Sequence, residues 1–208
     1  MSNNVAAYKG SLKACIIRFQ FPIITSFVIG FLAHTFVFTN KLVNWDEITY
    51  LFEKGTTLTS GRWGLELCKA IFPNYSMPWI YGIISLILLT ISSCLIIDLI
   101  KIKSVVFQCI LIGLIVSFPA VVSIFAYMFT STSYFLAFLL AILAVWLIDK
   151  SEQATTTRNK VLCVILSLFC VVFAIGIYQA FFSVFTCLLL LKFANNILYM
   201  KFTPPTCN

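Results

Sequence analysis

The chain has 208 residues, of which 61% are hydrophobic and only 10% charged, so its polar residues are too few to cover a soluble globule. Its formal net charge is +7, but the basic residues stand singly or in pairs at the ends of apolar runs, a pattern that excludes a nucleic-acid-binding surface. Apolar runs of about 20 residues recur and alternating barrel strands do not, so we predict an all-α, polytopic integral membrane bundle of about six transmembrane helices.

The first predicted membrane helix spans residues 19–38. The leader before it carries Lys9, Lys13 and Arg18 and no acidic residue, and the positive-inside rule places such a leader in the cytoplasm. We expect no signal-peptide cleavage, because a run of membrane-spanning length follows without a small-residue cleavage site. Residues 40–78 then form an outer segment, with two short interfacial helices separated by a Thr/Ser-rich turn.

Five further apolar runs predict the remaining membrane helices. Proline cannot donate an amide hydrogen bond, so Pro119 should break or kink the third helix, which starts near residue 104. Residues 120–129 then form a kinked extension or a re-entrant piece, and residues 130–134 form a second outer turn. The other helices are predicted at 79–100, at 135–148, at 161–177 and up to residue 200. No repeat or linker interrupts the chain, so we predict a single bundle over residues 1–208.

Charge is concentrated in the outer segment, residues 40–78. This segment holds four of the seven acidic residues and four of the fourteen basic ones, and the other ten basic residues lie toward the opposite face. That bias predicts a cytoplasmic N-terminus, with residues 40–78 on the outer face of the membrane. Packing in lipid does not require such a concentration of charge, so we predict that the functional site lies here.

Asp46 is the predicted catalytic residue of this segment. Asn44 is a favourable helix N-cap, and Glu47, three residues later, completes a capping box, whereas Asp46 has no cap to make and only complements the helix dipole. Glu47 is therefore either part of the helix start or a second catalytic carboxylate beside Asp46. If Asp46 opens a helix, Tyr50 lies one turn further along the same face and is a candidate substrate contact.

Arg62 and Lys69 are the candidate cations. In a second short helix they share a face with Glu66, while Trp63 points elsewhere, as expected of an interfacial helix anchored by tryptophan. The charged face is either an exposed salt-bridged surface or a phosphate site, since a guanidinium group binds phosphate oxygens in bidentate fashion.

Three further polar side chains complete the candidate substrate-binding set. His34 lies one to two turns inside the outer end of the first helix, where it is either a hydrogen-bonded structural residue or a functional one. Tyr178 and Gln179 form a hydrogen-bonding pair at an outer helix end, and interfacial placement explains the tyrosine better than the glutamine. The cysteines form no metal-binding motif and a single acidic pair is a poor cation site, so we predict no metal and no cofactor.

Several short motifs follow one another along nearly the whole chain in the order found in a known family. The chain resembles the bacterial type II glucosyltransferases, typified by phage-encoded O-antigen glucosyltransferases. The motifs that carry the resemblance are Trp45-Asp46-Glu47, Gly61-Arg62-Trp63-Gly64, Phe118-Pro119 with Tyr127-Met128-Phe129-Thr130 and Tyr134, and Gly176-Ile177-Tyr178-Gln179-Ala180.

The resemblance implies a membrane glycosyltransferase of the GT-C type in the bacterial cytoplasmic membrane. Such enzymes transfer a sugar, usually glucose, from a polyprenyl-phosphate carrier to a cell-surface polysaccharide. An acidic residue of the first outer loop is essential in them, and Asp46, with Glu47 beside it, occupies that place here. A carboxylate would take the proton of the acceptor hydroxyl while a cation, for which Arg62 is our candidate, stabilises the departing lipid phosphate.

Two departures from the family pattern keep alternatives open. Family members are usually about twice as long, so the chain resembles their N-terminal half, and a truncated inactive copy is one alternative. Residues 130–134 also lack any acidic residue that could serve as a second carboxylate. The other alternative is a non-enzymatic membrane protein that assists the flipping or assembly of lipid-linked sugars, with a flippase as partner, although charge-poor helix centres disfavour transport.

Overall fold

The computed structural model describes residues 2–52, 56–73 and 75–202, and every regular element in these ranges is helical. The helices in this part of the chain are α1 (Ser2–Thr39), α2 (Trp45–Phe52), α3 (Thr56–Thr59), α4 (Trp63–Cys68), α5 (Pro78–Ile100), α6 (Val105–Val116), α7 (Pro119–Ala126), α8 (Met128–Gln153), α9 (Thr157–Ile177) and α10 (Phe181–Phe202). The all-α prediction is confirmed.

The long helices are membrane spans. Within the described ranges, five of them are long and apolar enough to cross a bilayer: α1 from Ile17, α5, α8, α9 and α10 as far as Leu198. Helices α6 and α7, with a bend of 41° between them, form either a broken sixth span or a re-entrant loop. The multi-pass prediction is therefore confirmed, and the bend falls at Pro119, where the sequence predicts it.

Helix α8 is the centre of the bundle and packs most extensively against α9 and α5. Its Ala137, Ala141 and Ala144 are fully buried. Small side chains let neighbouring helices approach closely, which matters in a bilayer because van der Waals contact, and not escape from water, holds helices together there. The Ser167 hydroxyl of α9 also donates to the Ala144 carbonyl oxygen at 2.9 Å. These contacts fix the middle of α8 against its neighbours.

The predicted outer turn at residues 130–134 is wrong, because these residues form the beginning of α8. Residues 130–133 are buried, and hydroxyl groups among them find partners within the protein. Thr130 and Ser131 each donate to a backbone carbonyl oxygen three residues earlier. The hydroxyls of Ser131 and Thr132 also lie 3.3 Å from the Ser85 hydroxyl of α5. A run of hydroxyl residues suggests a solvated turn, but here local and interhelical bonds replace water.

Several helix ends also differ from the predicted bounds. Helix α1 begins at Ser2, so the basic leader continues the helix. Helix α8 extends to Gln153, and α9 begins at Thr157. Helix α3 forms within the predicted Thr/Ser-rich turn. Hydropathy marks the part of a helix that lies in hydrocarbon, and these polar extensions continue beyond it.

Ion pairs join the helices at the end of the bundle opposite the outer segment. Arg18 of α1 donates to Asp98 of α5 at 2.8 Å. The Lys192 ammonium of α10 is buried between two carboxylates of α8, at 3.4 Å from Asp149 and 2.9 Å from Glu152. A buried charge of this kind needs its partners, so these pairs fix how the helix ends meet.

His34 stabilises the break between α6 and α7. Its Nε2 lies 2.9 Å from the carbonyl oxygen of Val116, the last residue of α6. The last carbonyl groups of a helix lack intrahelical partners, so the ring supplies one from α1, which requires the tautomer with the proton on Nε2. The ring is fully buried, and its centroid lies 4.6 Å from that of Phe125 in α7. His34 therefore contacts both halves of the bent pair.

We expect the substitution His34→Ala to lower the free energy of unfolding by about 3 kcal/mol, because it leaves a cavity beside Phe125 and removes the partner of the Val116 carbonyl group. Thermal unfolding in detergent measures the loss. The matched control is Thr35→Ala on the exposed face of α1, with an expected change within about 0.5 kcal/mol. Equal effects of the two substitutions would contradict this role for His34.

Candidate active site

Helix α2 begins beside an asparagine cap, as predicted. The Asn44 Oδ1 accepts a hydrogen bond from the backbone amide of Asp46 at 3.1 Å, and the Asn44 carbonyl oxygen accepts from the amide of Glu47 at 3.0 Å. The cap fixes the first turn of the helix, so neighbouring side chains leave it in different directions. Asp46 is exposed, whereas only 2% of Glu47 is accessible to solvent.

Glu47 ties α2 to the segment that leads into α5. One of its carboxylate oxygens accepts from the Ser76 amide at 2.6 Å, and the other accepts from the Ser76 hydroxyl at 2.7 Å. The Lys41 ammonium lies 3.9 Å from the same carboxylate. The predicted reciprocal bond of a capping box is thus replaced by a tertiary one, because a buried carboxylate is stabilised best by charge-assisted bonds to amide and hydroxyl donors.

Helix α4 lies directly on the outer end of α9, and two glycines permit this contact. A Cβ atom at Gly64 would lie 2.8 Å from the backbone carbonyl carbon of Gly176, and one at Gly176 would lie 2.5 Å from the Trp63 ring. The Trp63 ring packs edge-on against Phe173, at 5.2 Å between centroids. Two of the sequence motifs, at residues 61–64 and 176–180, therefore form one packed unit.

A tight turn before α4 completes this unit. Gly61 has φ of 75°, a left-handed conformation that favours glycine. The Gln179 amide nitrogen lies 3.4 Å from the carbonyl oxygen of Ser60, the residue before Gly61. Gln179 thus contacts the turn from which Arg62 emerges, which gives this glutamine a positioning role.

The Arg62 guanidinium group is held by two tyrosines from different helices. It lies 4.9 Å from the centre of the Tyr178 ring, within range of a cation–π interaction, and its Nη1 is 3.5 Å from the Tyr134 hydroxyl. The two tyrosine rings lie 5.0 Å apart. Aromatic faces hold a guanidinium group without neutralising it, so Arg62 keeps its full positive charge and its planar donors for a ligand.

Asp46 and Arg62 line the same cleft, which has a volume of about 300 Å³. Its other lining residues are Ser123, Ile124, Tyr127, Phe129, Thr130, Tyr134, Tyr178 and Phe181. Among the described residues, neither the Asp46 carboxylate nor the Arg62 guanidinium group has an ion-pair partner. The cleft therefore presents one negative and one positive group, with hydroxyl and aromatic side chains around them.

The structure places four of the remaining predicted site residues away from the lining of this cleft. Trp63 and Gln179 belong to the packed unit of α4 and α9, and His34 lies at the α6–α7 break. Tyr50 is part of α2, but its side chain falls outside the described part of the chain. Lys69 pairs with Glu66, with 2.6 Å between nitrogen and oxygen. Roles in substrate binding for these five residues remain predictions.

The Lys69–Glu66 pair belongs to a small polar cluster that joins α3 to α4. The Glu66 carboxylate also accepts from the buried Thr57 hydroxyl, and the Lys69 ammonium lies 3.4 Å from that hydroxyl. The hydrogen bond from Lys69 and then that from Thr57 hold the pKa of the Glu66 carboxyl below its ordinary value of 4.5. Charge in this cluster therefore stabilises the outer segment.

Sequence reasoning missed the contribution of α8 to the cleft. Tyr127, Thr130 and Tyr134 were part of a family motif but carried no predicted role, since residues 130–134 were expected to form an outer turn. Thr130 and Tyr134, four residues apart in α8, share one face of the helix, and Tyr127 is the N-cap residue three positions before Thr130. That spacing is the signal that would have identified them.

The model of the family described as glucosyl transferase GtrII matches residues 35–204. The chain belongs to the glucosyl transferase GtrII family. The match includes every residue that lines the cleft, and it agrees with the multi-pass helical fold of a membrane transferase family. No curated protein and no solved structure matches the chain.

We expect Gly64→Ala to destabilise the GtrII fold by about 1–3 kcal/mol, because the added methyl group meets the rigid backbone of Gly176 and displaces α4. The matched control is Gly113→Ala, whose methyl group would lie 2.8 Å from the end of the flexible Ile29 side chain, which can rotate away. Both changes gain the same helix propensity. Thermal unfolding in detergent compares them, and a loss at Gly113 as large as at Gly64 would contradict the argument.

We expect the stabilising effect of Glu66 to depend on pH. Because its folded-state pKa is lowered, the charged carboxylate contributes stability above the unfolded pKa, and this contribution is lost as the pH falls through the folded value. Glu66→Gln should therefore lower the melting temperature at pH 7, and the difference from the wild type should narrow below pH 4.5. Lys69→Met, which removes the main cause of the shift, should reduce this pH dependence. A constant difference between pH 7 and pH 4 would refute it.

Proposed function

We propose that the chain transfers glucose from a polyprenyl-phosphate carrier to a cell-surface polysaccharide such as O-antigen, at the cleft between α2, α4 and α8. The observation that supports this proposal most directly is the presence of Asp46 and Arg62 in one cleft of a GtrII family member. The reaction requires a negative group that accepts the proton of the acceptor hydroxyl and a positive group that stabilises the phosphate leaving group. The proposal also places the protein in the bacterial cytoplasmic membrane, with the cleft on the outer face, as the distribution of basic residues favours.

Asp46 is the proposed general base. Its carboxylate takes the proton of an acceptor hydroxyl as that oxygen attacks the anomeric carbon of the donor sugar. The bond between the anomeric carbon and the phosphate oxygen then breaks, and its electron pair leaves with the polyprenyl phosphate. Glu47 acts through Asp46 in this scheme, because its bonds to Ser76 hold the first turn of α2 in place.

Arg62 is the proposed phosphate-binding group. Its guanidinium donors stabilise the negative charge that accumulates on the departing phosphate. The N-terminus of α8 adds to this effect, because Tyr127, Phe129 and Thr130 of its cap and first turn line the same cleft and the positive end of the helix dipole lies there.

The aromatic and hydroxyl side chains of the cleft suit a sugar. Tyr127, Thr130 and Tyr134 present hydroxyl groups that can bond sugar hydroxyls, and the tyrosine rings offer apolar faces for the C–H side of a hexose. The cleft volume of about 300 Å³ lies at the lower end of the range for small-molecule sites. A glucosyl phosphate group, with the lipid tail outside the cleft, is a ligand of matching chemistry.

The proposal is tested in membranes that contain the chain, given polyprenyl-phosphate-[14C]glucose and lipopolysaccharide as acceptor. We expect label in the polysaccharide with the wild type. Asp46→Asn should lower kcat by about 10²–10⁴-fold, since the amide cannot accept the proton. Arg62→Ala should lower it by about 10²–10³-fold, and Arg62→Lys should restore part of this loss as a point charge.

The control lies at the opposite end of the bundle. Arg158→Ala makes the same change of charge as Arg62→Ala on an exposed residue far along the chain from the cleft, and it should retain transfer. Absence of labelled polysaccharide with the wild type would overturn the proposed function. Full transfer by Asp46→Asn or Arg62→Ala would overturn the role assigned to that residue.

A further inference from the structure

A second cavity lies in the membrane-embedded part of the bundle, between the α6–α7 break and helices α5, α8 and α10. It is a groove of about 360 Å³, and all eleven residues that line it are apolar. Lipid-facing surfaces of a bundle are generally apolar as well, so an apolar lining alone does not indicate a binding site. The shape of the groove and the cavity beside it are the features that suggest one.

The bend at Pro119 creates the groove. Leu114, Ile115 and Phe118 line it from before the bend, and Ala120 and Val121 line it from after the bend. In a straight helix these two groups of residues would lie next to each other on the helix surface. The 41° bend separates them and opens a recess between them. The recess faces the bilayer at its rim, where Leu114 and Phe118 are 63% and 59% exposed.

The groove adjoins the polar cleft, and two side chains form part of both walls. Ile124 and Phe181 line both cavities. The Phe181 ring lies 5.8 Å from the ring of Tyr178 on the cleft side and 6.0 Å from the ring of Phe138 on the groove side. A ligand that extends from the cleft into the groove would therefore pass from hydroxyl and charged groups to apolar side chains over the length of the Phe181 side chain.

We propose that the groove holds the phosphate-proximal isoprenoid units of the lipid donor, with the phosphate at Arg62 and the rest of the tail in the bilayer. This inference rests on the proposed function, because the donor's phosphate occupies the cleft described above. The order of chemistry along the two cavities, cation first and hydrocarbon next, matches the order along a polyprenyl phosphate. A bilayer phospholipid also joins hydrocarbon to a phosphate, so competition between the two lipids is what distinguishes the donor from a bilayer lipid.

The groove orients the donor and adds little affinity. A tail that leaves the bilayer for the groove exchanges one apolar environment for another, so only packing contacts favour the transfer. Blocking the groove should therefore raise KM several-fold for long-tailed donors, while a donor too short to reach the groove is unaffected. This difference between donors separates tail binding from a general loss of structure.

Photo-crosslinking of the wild type in nanodiscs tests the site directly. The probe is polyprenyl phosphate without sugar, with a diazirine on the isoprene unit nearest the phosphate. We expect crosslinks in peptides that contain residues 114–124 and 181–184, and competition by unlabelled polyprenyl phosphate but not by phosphatidylglycerol. Crosslinks spread over all lipid-facing helices, or competed equally by phosphatidylglycerol, would overturn the proposal and indicate an adventitious bilayer lipid only.

Ala120 offers a substitution that fills the groove from an exposed position. Ala120→Trp should lower the crosslinking yield and raise the KM for the polyprenyl donor by about fivefold each, a modest change because packing alone is lost. A donor whose phosphate carries only a methyl group has no isoprenoid unit to enter the groove and should keep its kcat/KM. The matched control is Ala33→Trp on the exposed face of α1, where no change is expected.

The outcomes separate this inference from the proposed function. Sugar transfer with an unchanged KM in Ala120→Trp refutes the tail site and leaves the transferase proposal standing. Crosslinks confined to the groove without any sugar transfer by the wild type support the tail site and refute the transferase proposal. If Ala120→Trp does not fold, the wild-type crosslinking map decides the question by itself.

Discussion

The contact between the backbones of Gly64 and Gly176 is the constraint on which the rest of the site depends. It brings α4 against the outer end of α9, so that Arg62 meets the ring of Tyr178 and, through it, the first turns of α8. Any side chain at either glycine would separate these elements. A helix of six residues has little stability of its own, so α4 holds its place through this tertiary contact.

The two neighbouring carboxylates at the start of α2 have different environments, because Glu47 anchors the helix and Asp46 does not. Glu47 is buried and fully engaged with Ser76, which anchors the helix at a residue close to the start of α5. Asp46 remains exposed at the cleft because the adjacent position carries the structural role. Similarly, Tyr134 and Tyr178 contact Arg62 without cancelling its charge, so both charged side chains are available to a ligand.

The apolar runs predicted the membrane helices well, and the clustered charges identified Asp46 and Arg62 before their common cleft was visible. The sequence could not reveal which hydrogen-bond partner each buried polar side chain would have in the folded protein. Glu47 meets Ser76 across 29 residues, and His34 meets Val116 across 82. Such pairs depend on how helices pack, as does the helical state of residues 130–134, where interhelical bonds from Ser85 made a hydroxyl-rich run compatible with burial.

The hydroxyl groups at the start of α8 and the charged groups of the cleft lie on different kinds of helix. Thr130 and Ser131 bond to carbonyl groups at the start of α8. The hydroxyl groups on this side of the cleft therefore have hydrogen-bond partners within a single segment of the chain. The charged groups stay on α2 and α4, which are not membrane spans. Asp46 and Arg62 therefore lie outside the candidate spans of the described chain. A substitution at either position leaves the hydropathy of those spans unchanged.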